Sequence, residues 1–242
     1  MSALEGNLTV YADPAALADG VAAWLTDLAT SKDDTFYVCL SGGSTPKRLY
    51  ERLAQSPYRE QFPWANTHFF FGDERFVPAN HKDNNYRMAR EALLAHVPVP
   101  AENVHRIVTE RPTAEDAASG YDKTLRDLYG SSRLDPDRPF FDVMFLGLGP
   151  DGHTASLIPG EPILEEREKW VGSVAHGRPE ARITLTYPVL ESSAYIAFLI
   201  TGAEKTPMMR AARAGDTSIP AGRLKTNAHV EWFADKAAAG AE

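Results

Sequence analysis

The chain of 242 residues is 43% hydrophobic, 24% charged and 10% aromatic, a composition that is typical of globular proteins and excludes a disordered or fibrous chain. Its formal net charge of −8, from 25 Lys and Arg against 33 Asp and Glu, has the wrong sign for a protein that binds nucleic-acid phosphates. A small anionic substrate is compatible with this charge, because a few clustered cations set the potential inside a cleft.

Short β-like runs alternate with helical patterns along the chain, without a repeat, a low-complexity tract or a linker. This alternation predicts an α/β fold of three layers, with a mostly parallel central sheet and helices on both faces, as a single domain over residues 1–242. Several runs are continuously apolar, as expected of strands covered on both faces. The predicted strands are residues 8–11, 36–40, 68–71, 104–107, 142–146, 170–174, 183–186, 194–200 and 229–233.

The predicted helices have recognisable start signals. Asp13 followed by Pro14 is typical of an N-cap and a first helical residue, and apolar residues then recur at helical spacing. Thr113 with Asp116 predicts a second start of this kind. Residues 84–96 place their apolar side chains on one stripe, which predicts a third helix packed on the core.

Residues 41–46, SGGSTP, follow the predicted strand 36–40. In an open parallel sheet the ligand crevice lies beyond the carboxyl ends of the strands. Thr45 is predicted to cap a helix that begins at Pro46. The dipole and the exposed N–H groups of that helix would face this crevice. The groups predicted to bind a phosphate are the backbone of Gly42, Gly43, Ser44 and Thr45 and the hydroxyls of Ser41, Ser44 and Thr45. The alternative is a plain strand-to-helix turn, which needs one glycine but not two with three hydroxyls.

Two carboxylates and a guanidinium follow the strand 68–71, in the segment Gly-Asp73-Glu-Arg75. Such groups are common on solvated surfaces, but their position at the crevice makes Asp73 and Arg75 candidate site residues. Two further cations, Arg182 and Lys205, also lie at strand ends. Either is ordinarily a surface charge; together they suggest a second side to the phosphate site.

Residues 147–154, GLGPDGHT, follow the strand 142–146 and match the dinucleotide-binding pattern G-x-G-x-x-G. Pro150 removes a backbone donor, Asp151 would repel a pyrophosphate, and no acidic residue ends a strand about 20 residues later, so we disfavour that interpretation. Asp151 and His153 instead form an arrangement suited to acid–base catalysis near neutral pH. The alternative is a structural histidine that caps the next helix.

The remaining histidines are scattered without ligand spacing and Cys39 is the single cysteine, so no metal site is predicted. Cys39 lies in an apolar strand and cannot form an internal disulfide, which fits a buried thiol in a reducing compartment. The longest apolar run, residues 194–200, is far short of the ~20 residues of a membrane helix, and the first residues lack the basic start of a signal peptide. We therefore expect a cytoplasmic protein that binds neither membranes nor nucleic acid.

These motifs resemble those of the 6-phosphogluconolactonase family, in family order and over nearly the whole chain. The matching segments are residues 41–46, GDERFVP at 72–78, DNNY at 83–86, GLGPDGHTAS at 147–156, RITL at 182–185 and GAEK at 202–205. One departure is Asn84, where the family usually has serine.

The resemblance implies hydrolysis of 6-phospho-D-glucono-1,5-lactone to 6-phosphogluconate in the oxidative pentose phosphate pathway, without metal or organic cofactor. Local chemistry is consistent with it: His153 is predicted to act as base and then acid, with Asp151 orienting it, and Arg75 to stabilise the oxyanion. The direct role of Asp73 stays open beside that of Asp151, and a monomer and a small homo-oligomer both stay possible. The predicted phosphate ligands are Gly42, Gly43, Ser44, Thr45, Arg182 and Lys205.

Two alternatives have a similar fold. Glucosamine-6-phosphate deaminases share the Asp-Gly-His turn, but their pattern has a glutamate five residues after the histidine, where this chain has Ile158. A sugar-phosphate-sensing domain of a transcriptional regulator would need an attached DNA-binding segment, which we do not expect because the first strand begins by Leu8. Release of ammonia would favour the deaminase, and a turnover assay separates an enzyme from the binding module.

Overall fold

The computed structural model describes residues 4–240. Its larger sheet has six strands in the order β1-β9-β8-β5-β2-β3, and every neighbouring pair is parallel. A smaller sheet, in the order β4-β7-β6, is antiparallel. The strands are β1 (Asn7–Tyr11), β2 (Phe36–Leu40), β3 (Thr67–Phe71), β4 (Asp73–Arg75), β5 (Phe141–Leu146), β6 (Val171–Val174), β7 (Arg182–Leu185), β8 (Ser193–Ile200) and β9 (His229–Asp235).

The predicted parallel sheet is confirmed, and the structure corrects the prediction at three places. Residues 104–107 form no strand: Val104 makes a single bridge to Phe69, and the next carbonyl accepts a hydrogen bond from the Tyr121 hydroxyl instead of pairing with a strand. The predicted strands at 170–174 and 183–186 pair with each other in the small sheet rather than joining the large one. Residues 73–75, predicted only as a polar segment, form β4 of that small sheet.

The helices begin largely where their start signals indicate. Asp13 accepts hydrogen bonds from the N–H groups of Ala15 and Ala16, and Thr113 accepts one from Asp116. The predicted cap at Thr45 is wrong, because the helix starts at Ser44, two residues before the predicted start, and Gly43 occupies the cap position. The α-helices are α1 (Pro14–Thr30), α2 (Ser44–Leu53), α3 (Tyr58–Gln61), α4 (Asn85–Ala89), α5 (Ala114–Tyr129), α6 (Tyr187–Glu191), α7 (Thr206–Arg213) and α8 (Lys236–Ala239).

The predicted helix at 84–96 is present but irregular. Asn84 caps it by accepting a 2.8 Å hydrogen bond from the Arg87 N–H. After α4 the chain continues through a wider π-type turn, Arg90–Leu94, which leaves Ala92 and Leu93 buried. Asn84, the residue that departs from the family pattern, is therefore a helix cap.

Side chains cover both faces of the parallel sheet, as the three-layer prediction requires. Trp24 of α1 packs edge-on against Phe145 and Phe233 on one face. On the other face Phe70 contacts Phe140, which in turn packs against Tyr129 of α5. Within residues 4–240, no helix has both the length and the apolar character that crossing a membrane requires.

Two histidines next to the sheet edge predict a stability that depends on pH. His68 Nδ1 lies 2.9 Å from His105 Nε2, and burial, then the neighbouring His68, lowers the pKa of His105 from 6.5 to about 4. Between pH 6.5 and 4 the unfolded chain binds more protons than the folded protein does. The free energy of unfolding should therefore fall as the pH falls through this range. We expect a loss of about 1–2 kcal/mol, since both rings are partly exposed and screened by solvent.

Urea unfolding at a series of pH values tests this expectation. His105→Phe, which keeps the stacking on Phe70, should flatten the pH dependence, whereas His176→Gln, a change at an exposed histidine, should leave it as in the wild type. An equally steep pH dependence in His105→Phe would show that other groups cause it.

Candidate active site

A cleft of about 390 Å³ lies at the carboxyl ends of the parallel strands. The strands β8, β5, β2 and β3 are consecutive in the sheet, so the polar segments that follow them meet at this edge. The predicted site residues that line the cleft are Gly42, Gly43, Ser44, Thr45, Asp73, Arg75, His153, Arg182 and Lys205. Asp151 does not line the cleft but contacts His153 from behind.

The glycine-rich loop after β2 ends in the first turn of α2. Gly43 has a φ of +110°, a backbone conformation that favours glycine, and α2 begins at the next residue. Thr45, inside the first turn, shares a 2.7 Å hydrogen bond with Thr201 at the end of β8, so this loop is joined to the segment that carries Lys205. The first turn of the ten-residue α2, with Ser44 and Thr45, thus borders the cleft beside a lysine, where the helix dipole favours an anion.

An imidazole and a carboxylate are paired on the loop after β5. The Nδ1 atom of His153 makes a short hydrogen bond to Asp151 Oδ1, and the His153 N–H donates to the same oxygen at 3.2 Å. The loop is closed by a hydrogen bond from the Gly149 N–H to the His153 carbonyl, at 2.8 Å. Within residues 4–240 the other ring nitrogen, Nε2, has no hydrogen-bond partner, and the ring lines the cleft. This arrangement leaves Nε2 free to exchange a proton with a bound molecule.

Arg178, which the sequence analysis did not identify, completes this pair. It lies in the turn between β6 and β7, and its guanidinium donates a 2.6 Å hydrogen bond to Asp151 Oδ2. Burial alone would raise the pKa of Asp151, but the hydrogen bonds from Arg178 and His153 hold it well below its usual range. Asp151 therefore stays ionised at any pH near neutrality.

Asp73 is buried, and both of its carboxylate oxygens accept hydrogen bonds. Its Oδ2 accepts a 2.6 Å hydrogen bond from the Ser156 hydroxyl, and its Oδ1 accepts one of 3.2 Å from the side-chain amide of Asn85. Ser156 belongs to the loop after β5, and Asn85 begins α4. Asp73 thus connects three segments that border the cleft.

Glu74, the middle residue of β4, is completely buried and organises the backbone around Arg75. Its carboxylate accepts hydrogen bonds from the N–H groups of Arg75, Asn85 and Tyr86, at 2.6–2.9 Å. Burial raises the pKa of Glu74 to about 7, and these three donors oppose the rise. No feature of the sequence distinguishes this glutamate from an exposed one.

Arg75 and Arg182 are neighbours, because they pair across the small sheet where β4 meets β7. Burial, followed by the like charge of Arg75, lowers the pKa of Arg182. Among residues 4–240 the Nε atoms of both arginines are buried and lack a hydrogen-bond partner. Two adjacent guanidinium groups with unused donors form a site that an anion would stabilise.

Among residues 4–240 no group of three or more His, Cys, Asp or Glu side chains is arranged to hold a metal ion. The predicted absence of a cofactor stays a prediction. The thiol of Cys39 is buried in the sheet, and burial raises its pKa far above the usual value, which is the environment of a packing residue.

Comparison with known proteins gives a consistent result. The family model described as glucosamine-6-phosphate isomerases/6-phosphogluconolactonase matches residues 12–232. The chain is 41% identical to "6-phosphogluconolactonase 3, chloroplastic" of Arabidopsis thaliana over 88% of this chain, but it spans only 67% of that relative's length. It is 37% identical to a 6-phosphogluconolactonase of Nostoc sp., over 89% of this chain and 88% of the relative.

A solved structure shows the same architecture. The 6-phosphogluconolactonase from Trypanosoma cruzi superposes with a TM-score of 0.85 at 27% identity, over 99% of this chain and 97% of that one. The resemblance inferred from the motifs is confirmed by the match of the family model to most of the sequence. The chain belongs to the family of glucosamine-6-phosphate isomerases and 6-phosphogluconolactonases.

Proposed function

We propose that this protein hydrolyses 6-phospho-D-glucono-1,5-lactone to 6-phospho-D-gluconate. The observation that carries the proposal is the common cleft: the imidazole of His153, which is paired with Asp151, and the N-terminal turn of α2 line the same cavity. Relatives that match most of this chain are named 6-phosphogluconolactonases, which supports the same reaction. Hydrolysis of such a lactone belongs to the oxidative pentose phosphate pathway.

In this proposal His153 acts as the general base. Its Nε2 takes a proton from water, the water oxygen bonds to the lactone carbonyl carbon, and negative charge develops on the carbonyl oxygen. Arg75 stabilises that oxyanion through its guanidinium. When the bond from the carbonyl carbon to the ring oxygen breaks, the imidazolium returns its proton to the departing oxygen. Asp151 holds the ring with Nδ1 protonated, so that Nε2 is the basic atom.

The phosphate of the substrate is assigned to the other part of the cleft. The N–H groups of the first turn of α2 supply donors, and Arg182 and Lys205 supply charge. Binding there would fix the lactone carbonyl relative to the imidazole. Each carboxylate oxygen of Asp73 accepts a hydrogen bond from a neighbouring segment, one from Asn85 and one from Ser156, so we assign it a positioning role.

The phosphate assignment predicts a change in KM rather than in kcat. Arg182→Ala or Lys205→Ala should raise KM for the phosphorylated lactone by about 10- to 100-fold, the value of one charge-assisted contact. In the wild type the unphosphorylated lactone should be a poor substrate. The measurement is a pH-stat assay on freshly generated lactone, corrected for spontaneous hydrolysis. Equal use of the two lactones would contradict the assignment.

The same assay tests the function itself. Acid production above the blank supports a lactonase, whereas release of ammonia from glucosamine 6-phosphate would indicate the deaminase alternative. Ile158, at the position where deaminases have a glutamate, is a buried apolar residue that cannot transfer a proton. We therefore expect no ammonia release.

A further inference from the structure

We propose that Arg178 is a positioning residue that acts through Asp151 on His153, holding the carboxylate against the imidazole and keeping that ring neutral. This inference rests on the proposed lactonase function. It concerns a residue outside the motifs that the sequence analysis singled out, four positions before Arg182 and on the same hairpin.

The first argument is that the two oxygens of the Asp151 carboxylate have different partners. One oxygen, Oδ1, faces His153 Nδ1, and the other, Oδ2, accepts a 2.6 Å hydrogen bond from Arg178 Nη2. A carboxylate held at both oxygens cannot rotate away from the ring. A second hydrogen bond, from Arg178 Nη1 to the Gly177 carbonyl at 2.7 Å, fixes the guanidinium to its own turn.

The second argument is the contact between Arg178 and the ring itself. Arg178 Nη2 lies 3.1 Å from His153 Nδ1. A guanidinium has no acceptor, so this contact gives no hydrogen bond to a ring whose Nδ1 already carries a proton. The cation instead opposes a positive charge on the imidazole, and so counteracts the carboxylate, which favours that charge. Arg178 thereby keeps available the neutral ring that a general base requires.

Asp151 and Arg178 are the charged groups in direct contact with the His153 ring among residues 4–240. The other charged side chains that line the cleft are Asp73, Arg75, Arg182, Glu204 and Lys205. Among residues 4–240 none of these five hydrogen-bonds to His153. All three members of the Asp151–His153–Arg178 cluster have side chains that are 27–37% exposed, so their charges are only partly screened.

The experiment follows the titration of His153 by imidazole NMR in the free protein, with His153→Gln used to assign the resonance. In Arg178→Gln the midpoint should move to higher pH by roughly one unit, because a cation whose Nη2 atom lies 3.1 Å from the ring is lost. Arg178→Lys restores the charge and should return the midpoint towards that of the wild type. His176→Gln, an exposed change in the same turn, is the matched control.

Kinetics give the second readout. The acid limb of the lactonase kcat profile should shift with the NMR midpoint, and at high pH Arg178→Gln should keep a kcat about 10- to 100-fold below the wild type because the ring is less well oriented. An unchanged midpoint in Arg178→Gln, or Arg178→Lys no better than Arg178→Gln in both readouts, overturns the proposal. If the wild type shows no turnover, the lactonase function fails, while the NMR titration still decides the role of Arg178.

Discussion

Replacement of His153 by glutamine is expected to lower lactonase kcat by about 10²–10⁴-fold, the usual contribution of a general base. Glutamine keeps a polar group of similar length, but it cannot take a proton from water. The ring lies on a loop and contributes little to the core, so the melting temperature should change little. The residues to which we assign the phosphate are untouched, and affinity for 6-phosphogluconate should therefore persist.

Three measurements check this expectation. Initial rates give kcat, calorimetry gives the affinity for the product, and a thermal scan gives stability. His176→Gln is a fitting control, because it makes the same chemical change at an exposed histidine about twenty residues away. Retained turnover in His153→Gln would remove the base role, and a collapse of product binding would show that the variant has lost the site as a whole.

A single methyl group at position 149 should be nearly as damaging. Gly149 has no left-handed backbone, so alanine is allowed there by its own conformation. A Cβ atom would nevertheless overlap the imidazole of His153 and lie 2.7 Å from Asp151 Oδ1. The ring must move, and a displacement of about 1 Å in a catalytic group costs roughly 10²-fold in rate. We expect Gly149→Ala to lower kcat by at least that factor.

Gly147→Ala provides the comparison within the same loop. A Cβ at Gly147 would lie 3.8 Å from the Ser41 hydroxyl, an ordinary van der Waals contact. Its effect on kcat should be far smaller than that of Gly149→Ala. Circular dichroism should show both variants folded, since overpacking at one loop position costs about 1–3 kcal/mol. Equal kcat values for the two variants would mean that the position of the His153 ring does not determine the rate.

Most of the parallel sheet was predictable because its strands are apolar runs that end in glycine or polar residues. The segment at 104–107, Val-His-Arg-Ile, is half polar, and it lacks a strand partner beyond its first residue, which local sequence does not reveal. The opposite error occurred at β4. A run of Asp, Glu and Arg looks solvated, because charged residues are rarely buried without partners. Two of the three N–H donors to Glu74 belong to Asn85 and Tyr86, outside the run, so the run itself does not reveal them.

The candidate site was likewise predictable only in part. Residues of the glycine-rich loops could be predicted, because phosphate contacts and acid–base chemistry need particular residue types at particular spacings. Arg178 could not, since its partner Asp151 is 27 residues away and a Gly-Arg-Pro turn has no chemical signature of its own. A weak signal did exist: two predicted strands joined by a short polar turn form a hairpin whose tip holds an arginine.

The hairpin of β6 and β7 brings the guanidinium of Arg178 to the His153–Asp151 pair and that of Arg182 to the part of the cleft where we place the phosphate. Arg182 is held by strand pairing with Val174 and Arg75, whereas Arg178 lies in the turn itself, so a change in the turn's length would displace Arg178 and leave Arg182 in place. Among natural variants with insertions at this turn, the turnover rate should accordingly vary more than the substrate affinity, which makes the turn a poor place to alter substrate preference.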